Sequence, residues 1–403
     1  MHRGIGRHVN RSLLCGLVIA AASAGCATRS DDGAPVSVAV GAVESAPAAG
    51  TAGAATAGIP VVLTRPASVP AHFIATPNGW FDPACVVTLA ANERVTPEGS
   101  VVRSDGTISR AARLCPSPHY DRQGRAIAAS ATAGPSGDAS TPTTNGWIEY
   151  VDSTTLGALS FVHAQWTVPP NPPSNTGQIV YFFPGLENLT TGATILQPVL
   201  GWNQAEGPSE WSLASWNCCA TGTTWHSTYL ATSPGTTVTG DMTGTNCNSS
   251  GVCTNWTITS SNPSGQGVTL TTTTSDAMNW LFGGALEAYS IDTCNELPDS
   301  VSPPSTTFSG FGFRTASGTT VGTPTWNPHV MAQSPSCSYA VSAPSTSATL
   351  SWIAVPQVCS PFSERPCCNL GGGCGCAGTQ TCAADGRSWG ACEGALPKGH
   401  ECN

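Results

Sequence analysis

The sequence predicts an all-β main body, and three observations predict it. Apolar and hydroxyl-bearing residues alternate with a period of two over many short runs. Turn text separates those runs, and no convincing amphipathic helix interrupts them. Trp256 and Ile258 alternate with Asn255, Thr257 and Thr259, and Val268 and Leu270 with Thr269 and Thr271. Ala348, Leu350 and Trp352 alternate with Thr349 and Ser351, and Ile179, Tyr181 and Phe183 form a further set. Asn262-Pro263-Ser264-Gly265 and Ser233-Pro234-Gly235 are turns, because Pro fixes φ and Gly permits positive φ. About ten strands in roughly two hundred residues leave a sandwich or a barrel as the architecture.

Outside that body the composition changes in steps. A basic start (Arg3, Arg7, Arg11), the apolar run Leu13–Ala20 and small residues up to Gly25 read as a secretory signal over residues 1–26. Ser23-Ala24-Gly25-Cys26 resembles a bacterial lipobox, which makes Cys26 the expected lipidation site and a lipid anchor there the expected membrane attachment. The expected location is the outer membrane or cell surface, or the secreted fraction. Residues 27–70 read as a flexible Ala/Gly/Ser/Thr/Pro linker, 71–127 as an Arg-rich pro-region and 128–145 as a second linker. The sandwich is expected over 146–356 and a disulfide-rich module over 357–403, an element for adhesion or stability.

Eighteen cysteines less Cys15 and Cys26 leave sixteen, an even number that in an exported chain reads as disulfides. Cys85 and Cys115 are placed to close one loop, and Cys247 and Cys253 to clip a hairpin. Eight cysteines follow residue 358, where there is too little apolar sequence for a core. Bridges worth roughly 2–4 kcal/mol each have to hold that tail. No clean pair of zinc-ligand half-sites occurs there, so neither metal nor cofactor is expected. Between Asn145 and Ile353 there are eleven acidic residues and one basic residue, Arg314. A surface of that sign repels phosphate backbones and excludes nucleic acid as a partner. A monomer acting on polypeptide is the expected state.

Few groups in the body can move protons. His163, His226 and His329 show no i, i+4 ligand spacing, and no Gly-x-Ser-x-Gly elbow is present. Carboxylates remain. Ala285, Glu287, Tyr289 and Ile291 share one strand face, so Glu287 has apolar company. Gln197 lies among Ile195, Leu196, Val199 and Leu200. Buried polar groups need partners, so a Gln and a Glu on facing strands are expected to meet.

Phe183-Pro184-Gly185-Leu186-Glu187, then Ile195-Leu196-Gln197, Trp216, and Ala285-Leu286-Glu287-Ala288-Tyr289 together resemble the glutamic peptidases called eqolisins. The resemblance spans roughly residues 146–315. It implies a two-sheet antiparallel β-sandwich of concanavalin-like jelly-roll type, a catalytic Gln197–Glu287 pair and an acid endopeptidase working without metal or cofactor. It also implies supporting or substrate-binding roles for Glu187, Trp216, Phe183 and Tyr289. In such a pair Glu287 deprotonates a water and Gln197 stabilises the oxyanion. The chain departs from the family at Phe183, where Trp is usual, and at Ala214-Ser215, which lacks a carboxylate before Trp216. It departs again at Pro198, where Thr is usual and where the missing N–H suits a sheet edge better than a centre. Trp202, Trp211, Trp216 and Trp225 are candidates for a groove or for core. The Arg-rich region is expected to pair with the acidic body and let go in acid. The competing class is a non-catalytic lectin-like surface protein binding glycan or protein; a glycanase would need a Glu-x-Asp-x-x-Glu type strand, which is absent.

Overall fold

A computed structural model describes residues 61–62, 65–121, 123–127, 147–191, 194–205, 207–219, 222–299 and 304–353, with 359, 362–367, 378–383 and 388–393 in the tail. These belong to one compact unit, Ala57–Asn403. The expected signal, the lipidation site Cys26, the linker at 128–145, and the expected linker at 27–70 apart from 61–62 and 65–70 lie outside the described residues. Among the described residues there is no α-helix, only short 3-10 turns such as Pro83–Cys85 and Cys294–Glu296 between strands. The fold is an all-β sandwich.

Two large sheets form it. The first, the site sheet, runs in spatial order Asn327–Val330, Trp147–Ser153, Trp280–Tyr289, Ile179–Glu187, Ile195–Trp202, Trp211–Cys218, Thr224–His226, Val86–Thr88. The second is built on Ser305–Thr315, Leu159–Thr167, Thr237–Cys247, Cys253–Ser261 and Gly267–Thr273. In the second sheet the alternation is clean, with Val238, Met242, Trp256, Ile258 and Leu270 inward and the intervening Thr and Ser half-buried or exposed. In the site sheet every residue of Ile195–Trp202, Trp211–Cys218 and Trp280–Tyr289 is buried, so both of its faces are covered. One face (Val180, Phe182, Leu196, Leu200, Leu286) packs on the second sheet to make the main core. The other (Tyr181, Phe183, Val199, Trp216, Ala285, Tyr289) packs under Val69, Phe73, Ala75, Trp80 and Phe81.

That cover comes from the N-terminal region. Ile74–Thr76, Gly79–Phe81, His119–Tyr120 and Ala126–Ile127 form a small four-stranded sheet, here called the lid. The rest of residues 71–127 is woven into the body. Val86–Thr88 adds in parallel to Thr224–His226 at one sheet edge, and Glu93–Val95 adds in parallel to Gly267–Thr273 at the other. Cys85–Cys115 ties the two parts of this region together. The cover is held by apolar packing rather than by charge. Among the described residues no Arg of this region pairs with a carboxylate of the main body; Arg125 pairs with Asp121 beside it.

Six disulfides join described cysteines: Cys85–Cys115, Cys218–Cys219, Cys247–Cys253, Cys294–Cys337, Cys359–Cys382 and Cys367–Cys392. Cys247 and Cys253 are direct cross-strand partners, as a hairpin clip requires.

Pro198 is not at an edge. It lies inside the site sheet, facing Ser215 on one side. On the other side the pairs Phe182–Leu200 and Leu186–Leu196 put Pro184 opposite it. Two prolines facing each other remove both donors, so the ladder is interrupted there and tolerates them. The Ile179–Glu187 strand is also bulged against Trp280–Tyr289 between Phe183 and Gly185. Beneath this opening, a Cβ on Gly240 of the second sheet would lie 2.5 Å from Pro198 Cγ, so Gly is what lets the proline ring seat.

Candidate functional site

Gln197 sits at that interruption, on the lid-covered face, and is 0 % exposed. Its Nε2 donates to the backbone carbonyl of Pro77, 3.3 Å away in the lid. Its Oε1 is buried with no hydrogen-bond partner among the described residues. Cross-strand pairs continue the row on both sides. Trp216 is opposite Gln197, His226 opposite Trp216, and Thr88 opposite His226. In the other direction come Gly185, Phe282 and Asp152.

Glu287 is on the same face of the same sheet and also 0 % exposed. It stands opposite Tyr181 on one side and Trp147 on the other. Tyr289 donates its hydroxyl to Glu287 Oε1. Tyr181 donates to the Ala75 carbonyl at 3.1 Å and accepts from the Ala205 amide at 3.3 Å. Burial, the neighbouring Tyr229 and the Glu287 carboxyl all push the Tyr181 phenol well above its ordinary value. It therefore acts as a neutral donor.

The structure does not set Gln197 and Glu287 face to face. One strand separates them, and Tyr181 aligns Glu287 with Gly201, four residues beyond Gln197. Two strand spacings and four residues of rise amount to about 10 Å across and about 13 Å along. The sequence expectation of facing strands fails because both residues belong to one sheet, and alternation specifies the face but not the offset. Gln197 and Tyr181, the cross-strand neighbour of Glu287, donate to lid carbonyls two residues apart, Pro77 and Ala75.

Glu187 comes nearer to Gln197 in register. It is opposite Ile195 and Trp280, which makes it a diagonal neighbour of Gln197 on the adjacent strand and the same face. It is half-buried at the strand end, and burial pushes its carboxyl up to about 8. Phe183 and Tyr289 are buried on this face, as is Trp216, which donates Nε1 to Gln204 Oε1 at 3.2 Å. Trp202, Trp211 and Trp225 belong to the core between the sheets. Ser215, in the position before Trp216, faces that core too and meets Ser260 at 3.2 Å.

Several groups here escape a reading of the sequence. His226 stacks on Trp216 with centroids 4.5 Å apart, and its ring nitrogens lie 2.7 Å from Ser227 O and 3.2 Å from Thr88 Oγ1. His119 stacks on Phe81 across the lid at 4.6 Å. Burial lowers each of these histidines to about 4. Asp152 accepts from Trp280 Nε1 at 2.8 Å and Asn327 Nδ2 at 3.1 Å, with His329 Nε2 at 3.2 Å. The signals were the Pro184-Gly185 and Pro198 breaks inside otherwise apolar strands, since a sheet irregularity often re-aims side chains at a site.

Three solved structures are similar to this chain. Two are of scytalido-glutamic peptidase, one with a peptide-based transition state analog and one with a transition state analog inhibitor. They are 15% and 16% identical, with a TM-score of 0.36 each. The third is SCP-B, a member of the eqolisin family of peptidases, in complex with the tripeptide Ala-Ile-His, at 15% identity and TM-score 0.35. Each match covers 52% of this chain and 98% of the other. No family model and no curated protein matches. At this level the likeness is a distant one of fold and carries nothing about the site.

Proposed function

We propose that the lid-covered face is a polypeptide-binding cleft and that the chain is an exported endopeptidase, with Gln197 as the donor to the carbonyl under attack. One observation carries this reading: two buried side chains, Gln197 and Tyr181, each donate a hydrogen bond to a backbone carbonyl of an extended segment lying over the sheet. A donor held at a peptide carbonyl stabilises the oxyanion that forms there, at about 3 kcal/mol per donor. Carboxyls supply the acid–base half of the cycle. Glu287 with Glu187 are the candidates, and the Gln197–Glu287 pairing of the family pattern is the one to test first. No metal or cofactor enters the scheme.

The four-residue offset between Gln197 and Glu287 favours a second reading, a non-catalytic peptide-binding sandwich. Incubation of the purified chain with denatured casein from pH 2 to 8 separates the two. Gln197→Ala is expected to lower kcat by on the order of 10²–10³. Loss of activity in Glu287→Gln with activity retained in acid supports the family pairing. A wild-type chain that cleaves nothing at any pH, or a Gln197→Ala chain as active as wild type, rejects the peptidase.

A further inference from the structure

We propose that Gln204 is a positioning residue of the cleft: it ties the tryptophan beside Gln197 to the tyrosine beside Glu287, and so fixes the aim of the two groups relative to each other. This rests on the peptidase reading of the same face and adds the residue that holds its two halves together. The sheet sets where the backbones of Gln197 and Glu287 lie, one strand and four residues apart. The aim of each side chain depends on what packs beside it. Beside Gln197 that is Trp216, its direct cross-strand partner, and beside Glu287 it is Tyr181.

Gln204 lies in the loop that joins Ile195–Trp202 to Trp211–Cys218 and is buried. Asn203 turns the chain with φ +50°, and its Nδ2 donates to the Gln178 carbonyl at 2.8 Å. That turn lays the Gln204 side chain back over Gly201. A Cβ on Gly201 would lie 2.2 Å from Gln204 Cγ and 2.9 Å from Tyr181 Cδ1, so the missing side chain makes a slot that Gln204 and the Tyr181 ring share. Gly201 is the cross-strand partner of Tyr181, which puts Gln204 in the row of Glu287. Both ends of its carboxamide are used there. Nε2 donates to Ser212 O at 2.6 Å and to Ser212 Oγ at 3.0 Å, while Oε1 accepts from Trp216 Nε1 at 3.2 Å. The next residue completes the tie. Ala205 N donates to the Tyr181 hydroxyl at 3.3 Å, and the Ala205 carbonyl accepts from Tyr229. Tyr229 lies 5.0 Å from His226, whose ring stacks on Trp216. Trp216 therefore reaches Ala205 by two routes, through Gln204 and through His226 and Tyr229. The Gln204 route needs a neutral group that donates and accepts at once, which a carboxamide supplies. Without it Trp216 Nε1 and Ser212 O lose their buried partners. Trp216 then shifts, and Gln197 shifts with it.

The test uses the full chain with fluorescein-labelled denatured casein between pH 3 and 6. Gln204→Leu keeps the slot filled and removes both hydrogen bonds. Its kcat is expected to fall roughly 10- to 100-fold with KM and Tm little changed, since misplacing a reacting group by about 1 Å has an effect of that order. Gln204→Glu distinguishes positioning from a merely structural role. Protonated, its carboxyl donates to Ser212 O and accepts from Trp216 as the amide does; ionised, it only accepts and opposes that carbonyl. Its kcat relative to wild type is expected to approach one at pH 3 and to fall about tenfold by pH 6. Tyr181, Tyr229, His226 and Glu287, the titratable groups about this network, are common to both proteins and cancel in the ratio. An unchanged kcat in Gln204→Leu, or a Gln204→Glu ratio that stays flat with pH, overturns this inference and leaves the peptidase standing. Loss of Tm and a raised KM along with kcat in both variants does the same. A wild-type chain that cleaves nothing overturns both.

Discussion

Acid should loosen the seat of the lid, and two histidines decide by how much. His226 and His119 are buried and neutral, each lowered to about 4 in the folded chain. An unfolded histidine titrates near 6.5. Above that pH neither state is charged and the two residues cost nothing. As pH falls below it, the unfolded chain takes up protons that the folded chain refuses until about 4, so stability is lost in the window from about 6.5 to 4. At pH 4 the loss is about 3 kcal/mol per histidine, about 6 kcal/mol together. Glu187 works the other way. Its folded carboxyl is raised to about 8, so its penalty is present at pH 7 and relieved as pH falls toward the unfolded value. Being half-buried, it returns at most about 3 kcal/mol. Buried Glu149, also raised, adds to the acid side. Glu187 offsets about half of the histidine loss and Glu149 offsets a further part, so the histidine contribution is read by removing one histidine rather than from the net pH dependence. His226→Phe keeps the stack on Trp216 and removes one titration. Urea unfolding at pH 7 and pH 4 should show its stability difference between the two pH values smaller than wild type's by about 3 kcal/mol. Equal pH dependence in the two proteins would refute the linkage.

Gly79→Ala should destabilise the lid by 2 kcal/mol or more, because the Cβ meets Tyr120 O at 2.4 Å and the backbone is at φ +105°. Proteolysis within residues 65–81 reads this directly, and an unchanged digestion rate would count against the lid packing described. Gly240→Ala should cost roughly 1–3 kcal/mol by pushing against Pro198, measured as a lower Tm. It should also lower activity more than a comparable core change such as Ile258→Val, since Pro198 carries Gln197 on its preceding bond.

Much of the candidate site was visible residue by residue. Gln197 and Glu287 sit amid apolar runs, and both are buried. Glu187, named as a supporting acid, comes nearer to Gln197 in register than Glu287 does. Other features were not visible. Pro198 looked like an edge residue because nothing local reveals that Pro184, on another strand, will face it. Residues 71–127 looked like a separate pro-region because Arg content masks how Val86–Thr88 and Glu93–Val95 join the two sheets in parallel. Ile179–Glu187 looked half-buried from its odd positions, yet the even ones are apolar too, and both faces are covered.

The sequence alone determined the class of fold, the face each strand residue occupies and the short-range clips such as Cys247–Cys253. Each follows from neighbours within a few positions, through the period of two, turn chemistry and loop length. Only the tertiary structure decided which residues share a row. Strand offset is set by bulges and by pairings between segments over a hundred residues apart, as between Tyr181 and Glu287. That offset places Phe282 rather than Glu287 in the row that runs through Gly185 and Gln197. It also lays Pro77, from a segment far away in the chain, on the one donor aimed out of the sheet at that point.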